Sequence, residues 1–398
     1  MKTEELNYFL PKKFIAQEPV KPRDSSRLLV LERKTEAIKH AIFKNLPEYL
    51  NPGDTLIANN TRVFPARLKG YKAATGAKVE VFLLRALSEN RWEALIKPGR
   101  KVVPGTEVLF DLDPVGPDRE NHFFAKISPR EKLVGLAENR LEDGKWIFAF
   151  QAGDDLTELI KRIGHVPLPP YIQKPLADPK RYQTVYAKNM GSVAAPTAGL
   201  HFTPSLIKKL KDKGVEFTFI TLNIGLDTFR PLSEDKLSDH HIHGEFFQIP
   251  SSSAKIINRA LREGRRLVVV GTTSARALES AAFEGVPETQ KPEIGVWNSR
   301  SKAENLQPGR RNPELATGDS ERRIWQVKPK EGWTSLFIYP GYKFRIVNAM
   351  ITNFHLPKST TLAMAAAFGG KDLIMKSYQE AMKKNYRFFS FGDAMLIL

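Results

Sequence analysis

The 398 residues carry 61 Lys and Arg against 44 Asp and Glu, a formal net charge of +17, and they include no cysteine. Without thiols there are no disulfides, thiolate nucleophiles, iron–sulfur clusters or cysteine zinc sites, in keeping with a reducing cytoplasm. The excess charge attracts polyanions, with RNA or DNA first among them, and it can equally serve as a solubilising surface.

The length allows about two or three domains. No apolar signal core follows Met1, and no run approaches the roughly 18 apolar residues of a membrane span. A soluble, cytoplasmic protein with no membrane partner is expected, with a monomer as the favoured state.

Near the N-terminus, Arg23-Asp24-Ser25-Ser26-Arg27 leads into an apolar strand at 28–31. Paired arginines before a buried strand can hold a phosphate. Asn51-Pro52-Gly53-Asp54 is a turn into a short strand at 55–58, which runs into Asn59-Asn60-Thr61-Arg62-Val63-Phe64-Pro65. A polar cluster at a strand end is where open α/β sheets place ligands, and it reads equally as a structural turn.

From 66 to 159 the texture changes to short alternating segments at 79–83, 92–96, 106–110, 123–127 and 146–150, split by Gly, Pro and Asp turns. These predict a small antiparallel β-barrel inserted into an α/β domain made of 1–65 and 160–398. Lys97-Pro98-Gly99-Arg100-Lys101 is a basic turn of that barrel, either a phosphate contact or a solvated hairpin.

After 160, helices and strands alternate again, which predicts a mostly parallel sheet. The stretch from Val193 to Pro204 holds Ala195-Pro196-Thr197-Ala198-Gly199-Leu200-His201. Its small residues let backbone approach a ligand, and Gly199 can take positive φ. Thr203 as N-cap and Pro204 at the first helical position start a helix that stops at Gly214. A helix N-terminus favours an anionic group, and His201 on the loop can exchange a proton near neutral pH. The other reading is a tight crossover loop with a packed histidine.

Asp239-His240-His241-Ile242-His243-Gly244-Glu245 clusters imidazoles and carboxylates. Its spacing fits no standard zinc template, so no metal is expected; proton transfer and an ordered polar turn are the other readings. A buried strand ending at Val270 enters Gly271-Thr272-Thr273-Ser274, a second anion or nucleoside cradle at a helix start. Neither a P-loop nor a dinucleotide fingerprint is present. Residues 285–332 lose periodicity and predict a long surface loop or disordered insertion. Strands are expected at 335–339 and 347–352, the latter entering Asn353-Phe354-His355-Leu356-Pro357-Lys358 before a helix at 362–368. In the apolar C-terminal stretch 388–397, Asp393 follows Gly392, where partial desolvation can raise its pKa toward that of a base.

These segments together resemble the S-adenosylmethionine:tRNA ribosyltransferase-isomerase family of queuosine biosynthesis. The resemblance is carried by residues 195–202, 269–274, 351–357 and 391–395, and by 59–63, 97–101 and 165–172. It implies an α/β domain with an inserted β-barrel. It also implies transfer of the ribosyl part of S-adenosylmethionine onto the aminomethyl group of 7-aminomethyl-7-deazaguanine at the tRNA wobble position, with release of adenine and methionine and rearrangement to epoxyqueuosine. The modified tRNA and S-adenosylmethionine are the expected partners, the latter as co-substrate, with no bound cofactor.

Such a reaction needs at least one base, for which His201, His355 and Asp393 are the candidates, with His243 behind them. Thr272, Thr273 and Ser274 are expected against the adenosyl or carboxylate end, Thr197 and Gly199 against the ribose, with Asn353 in the same set. Arg62, Lys97, Arg100, Lys101 and Lys358 are expected at RNA phosphates. The chain departs from the family at Asn223, where histidine is usual, at Asp227 in place of glycine and at Gly244 in place of serine. Asparagine can hold a hydrogen bond but cannot serve as a base. A non-catalytic tRNA-binding protein and an S-adenosylmethionine-dependent RNA methyltransferase are the alternatives.

Overall fold

Leu28, Leu29, Val30 and Leu31 lie with no exposed surface in the first strand, an apolar run covered on both faces. The computed structural model describes residues 1–112, 132–152, 155–225, 231–285 and 324–398. After β1 (Arg27–Glu32) come β2 (Ala37–Ile42), β3 (Thr55–Asn59) and the short β4 (Thr61–Val63). Six strands then close on themselves: β5 (Arg67–Lys72), β6 (Lys78–Ala86), β7 (Arg91–Lys97), β8 (Thr106–Asp111), β9 (Lys132–Arg140) and β10 (Trp146–Gln151).

The chain continues through α1 (Leu156–Ile163), β11 (Asn189–Ser192), α2 (Pro204–Asp212), β12 (Glu216–Leu222), β13 (Glu245–Ile249) and α3 (Ser251–Arg262). It follows with β14 (Leu267–Val270), α4 (Thr272–Ala281), β15 (Ala282–Glu284), β16 (Trp325–Val327) and β17 (Lys330–Thr334). It closes with β18 (Ala349–Asn353), α5 (Thr360–Gly369), α6 (Lys371–Lys383) and β19 (Ala394–Ile397).

The main sheet has 9 strands in the order β17-β13-β12-β3-β14-β18-β19-β1-β2. Its centre, β12-β3-β14-β18, is parallel. Antiparallel pairings flank it at β18-β19 and on the outer edges. The sheet is therefore mixed, with the parallel part at its heart.

Strand alternation sends Leu29, Ile57 and Val269 to one core, against Ile257, Leu278 and Leu362 of the helices. Their neighbours Leu28, Leu56 and Val268 pack on the opposite face against Phe43, Phe202 and Leu206. Thr203 Oγ accepts from Leu206 N at 3.1 Å, the expected cap on α2. α5 is apolar all round and is buried accordingly, its start capped by Ser359.

The barrel interior is filled by Phe110, Phe148 and Phe150, with Phe148 edge-on to both of the others. Gly135 leaves room for them: a Cβ there would stand 2.3 Å from the Phe148 ring. Two of its strands, β5 and β9, were not expected. β5 reads Arg-Leu-Lys-Gly-Tyr-Lys, too polar to stand out as a strand, yet Leu68 on it is fully buried. The segment expected at 123–127 lies outside the described residues.

Three further expectations change. Within 285–332, residues 325–327 and 330–334 are strands: Lys330–Thr334 pairs with β13 as the sheet edge, and Trp325–Val327 pairs with β15. Residues 335–339 are not a strand; sheet pairing ends at Thr334. At the C-terminus only Ala394–Ile397 is extended, because Phe389 takes φ 71° and the chain turns through Ser390 and Gly392 first. Among the described residues no helix is long and apolar enough to cross a membrane.

Candidate functional site

The parallel strands β3, β14 and β18 all point their C-terminal ends to one place, where unpaired backbone groups and loop side chains meet. A cavity of about 60 Å³ lies there. Thr197, Thr272, Thr273, Asn353 and His355 line it, together with Tyr171. Gly271 takes φ 89°, which turns β14 sharply into α4 and presents the first turn of that helix to the cavity.

Two expected members stand behind this wall. Ser274 is fully buried and its hydroxyl donates to Val270 O at 2.7 Å. Gly199 does not use positive φ; its requirement is space, since a Cβ would stand 2.2 Å from Tyr186 Oη.

His201 is buried, 4% exposed, beneath the cavity floor. Its Nε2 lies 3.2 Å from Asn353 Oδ1, and its Nδ1 lies 2.7 Å from Ser26 Oγ. Asn353 Nδ2 donates to Phe389 O at 3.0 Å, which fixes the amide orientation and leaves Oδ1 to accept. The proton of His201 is therefore on Nε2, and Ser26 donates to Nδ1. Burial pushes the His201 pKa down to about 4, with Asp393 and Asn353 opposing. The imidazole is uncharged near neutral pH, contrary to the exchange expected of it.

His355 sits partly exposed on the wall. Its Nε2 lies 2.7 Å from Thr352 Oγ1, and its backbone N–H donates to Tyr378 Oη at 2.9 Å. Burial alone brings its pKa down to about 3. Tyr171 and Ser390 join their hydroxyls at 2.7 Å on the same wall.

Asp393 is 2% exposed but fully engaged. Its Oδ1 accepts from Arg27 N at 3.0 Å, its Oδ2 from Arg387 N at 2.8 Å, and the Arg387 guanidinium lies 3.5 Å away. It clamps β1 to the C-terminal turn and does not line the cavity.

His243 is exposed and stands at a second cavity, of about 900 Å³, between the barrel and the sheet edge. Asn223 and Gly244 line the same cavity, and Thr61 Oγ1 donates to Asn223 Oδ1 at 2.8 Å. Asp227 lies outside the described residues. Among the described residues no three His, Asp or Glu side chains gather as metal ligands would.

The basic residues divide. Arg62 and Lys97 line a third, open groove of about 1640 Å³ between β5–β7 and the proline-rich connector 164–183. Arg100 and Lys101 are exposed on the short turn Gly99–Lys101 at the barrel. Lys358 is on the other side of the site, paired with Glu4 at 3.1 Å.

Sequence reading missed Ser26, Thr352 and Ser390 as partners, and Lys69 and Lys78 as groove cations. Only contact across the fold reveals them.

Fold and site together define an α/β protein with an inserted β-barrel and a polar pocket at the ends of its central strands. The chain belongs to the queuosine biosynthesis protein family, whose model matches residues 3–397. It is 42% identical to the S-adenosylmethionine:tRNA ribosyltransferase-isomerase of Halothermothrix orenii over 398 residues, covering 100% of both chains. It is 44% identical to the protein of the same name from Thermotoga maritima over 400 residues, again covering 100% of both. The crystal structure of a Thermotoga maritima S-adenosylmethionine tRNA ribosyltransferase is 36% identical and covers 99% of this chain and 100% of that one, with a TM-score of 0.48. The kinship is thus read from the sequences and not from the superposition.

Proposed function

We propose that the chain transfers and isomerises the ribosyl moiety of S-adenosylmethionine onto 7-aminomethyl-7-deazaguanine at the tRNA wobble position, releasing adenine and methionine and giving epoxyqueuosine. Full-length relatives of that name support the reading. The observation that carries it is the convergence of three family segments, 195–202, 269–274 and 351–357, on one pocket.

The pocket's chemistry suits that co-substrate. Both imidazoles are uncharged near neutral pH, so a cationic sulfonium meets no like charge there. The first turn of α4, with Thr272 and Thr273, suits a carboxylate or ribose hydroxyls. The small cavity adjoins the 900 Å³ one across Ile224, which lines both, and this gives a substrate of nucleoside size its room.

Of His201, His355 and Asp393 only His355 lines the cavity, and we assign it to orienting S-adenosylmethionine there, since a ring whose pKa burial lowers to about 3 is too weak a base for the carbon next to the sulfonium. His201 acts through Asn353 as a positioning residue. Asp393 holds β1 and the C-terminal turn in place. S-adenosylmethionine is consumed, and no bound cofactor is assigned. The cysteine-free, basic chain suits a cytoplasmic RNA substrate.

The test is release of adenine and methionine from S-adenosylmethionine with and without tRNA carrying the aminomethyl-deazaguanine, with mass analysis of the nucleosides. Release that depends on the modified tRNA is expected. S-adenosylhomocysteine as product would make the protein a methyltransferase, and tight RNA binding without release would make it a binding protein.

A further inference from the structure

We infer that the cavity between the barrel and the sheet edge receives an unstacked RNA base, while the phosphates of the same strand lie along the basic groove beside it. This rests on the RNA-modifying reading above and adds where the RNA lies.

The cavity has the size and lining for a base. At about 900 Å³ it is bounded by Trp92, Met190, Phe246 and Trp333, with Arg85 among them. Phe64 and Trp92 stack at 5.2 Å with their planes 5° apart, forming a rigid aromatic wall. Trp333 is 57% exposed on the edge strand β17, a costly place for so large an apolar ring. The Arg85 guanidinium lies 5.6 Å from its ring centre. Exposed aromatic rings beside arginine planes are what splayed-out RNA bases stack upon.

The groove has the charge for phosphates. Arg62, Lys69, Lys78 and Lys97 line it, and none of them has an ion-pair partner among the described residues. Glu80 is the sole carboxylate among its lining residues, and Arg67 faces it at 3.5 Å. Lys69 and Lys97 flank Glu80 as its cross-strand neighbours, but eight Lys and Arg side chains line the groove against that one carboxylate, and this excess is what a polyanion meets.

The two features are continuous. Met190 lines both the groove and the aromatic cavity, and Ile224 lines both that cavity and the pocket at the strand ends. A strand lying in the groove can thus turn one base past Met190, with its reactive edge toward Thr273 and His355. No other connected path among the three cavities shares lining residues.

The experiment uses the whole protein and an anticodon stem-loop RNA with 6-thioguanosine at the wobble position. Irradiation and peptide mapping should place the crosslink on the segments around Met190, Phe246 or Trp333. Trp333→Ala should weaken binding of that RNA by roughly ten- to a hundredfold, with most of the loss restored in Trp333→Phe, because the stacking face is what matters. Lys78→Gln with Lys97→Gln should lower the slope of log affinity against log salt by about 1.4, the single-strand value for two contacts. Crosslinks confined to other surfaces, or unchanged affinity in Trp333→Ala, would overturn the assignment. Adenine release by the unaltered protein separates the two claims: release with crosslinks elsewhere removes the base site and keeps the activity, whereas crosslinks in the cavity without release keep the base site and remove the activity.

Discussion

The pocket at the strand ends and the groove beside the barrel use opposite physics. At the pocket, Ser26, His201 and Asn353 satisfy one another, Thr352 pairs with His355, and the imidazoles are held uncharged by burial. In the groove, Arg62, Lys69, Lys78 and Lys97 are charged and unpaired among the described residues. The first arrangement is preorganised and intolerant of change, as suits a small substrate that must be oriented. The second is loose and additive, as suits a polyanion bound through many weak contacts. The difference teaches that the net charge of +17 marks the partner, not the chemistry.

The sharpest break of this contrast lies under the pocket. Asp393→Ala leaves the backbone N–H groups of Arg27 and Arg387 without their acceptor, and a loss of about 2 to 6 kcal/mol in urea unfolding is expected. Unchanged stability would show that the carboxylate is not the clamp described. His201 gives a signature in pH. Its folded pKa of about 4 lies below its ordinary 6.5, so the unfolded chain binds the proton more readily. Its contribution is complete above about pH 6.5 and is lost as pH falls toward 4, by about 3 kcal/mol. Comparing His201→Gln with the parent at pH 7 and pH 5 should show a shallower acid loss in the variant. Asn353→Ala releases His201 and the Phe389 carbonyl together, and adenine release should slow by about a hundredfold. Gly199→Ala forces a methyl toward Tyr186 and should cost about 1 to 3 kcal/mol in thermal unfolding. At the other end of the scale, Lys78→Gln with Lys97→Gln should leave stability within about 0.5 kcal/mol while changing RNA affinity.

What could be read from the sequence follows the same division. The loops after β14 and β18 were legible because apolar strand, small or hydroxyl residue and helix start are adjacent in the chain. The cap at Thr203 and the barrel strands β6, β7, β8 and β10 were legible for a similar local reason. The rest depends on distant contacts. β17, Lys-Glu-Gly-Trp-Thr, has an edge strand's polar composition and gains its identity only by pairing with β13. That His201 is neutral follows from its burial, and that its proton sits on Nε2 follows from Ser26, 175 residues away, and Asn353, 152 away. Asp393 looked like an isolated carboxylate because the N–H of Arg27, 366 residues distant, cannot be read beside it. Gly199 was read for its φ, whereas the Tyr186 hydroxyl decides it.

The most direct test of the division of labour is steady-state kinetics with each substrate varied in turn, for Thr273→Val and for Lys78→Gln with Lys97→Gln. The account predicts that Thr273→Val raises KM for S-adenosylmethionine and leaves KM for the modified tRNA alone, with the lysine pair doing the reverse. Both variants raising the same KM would contradict it.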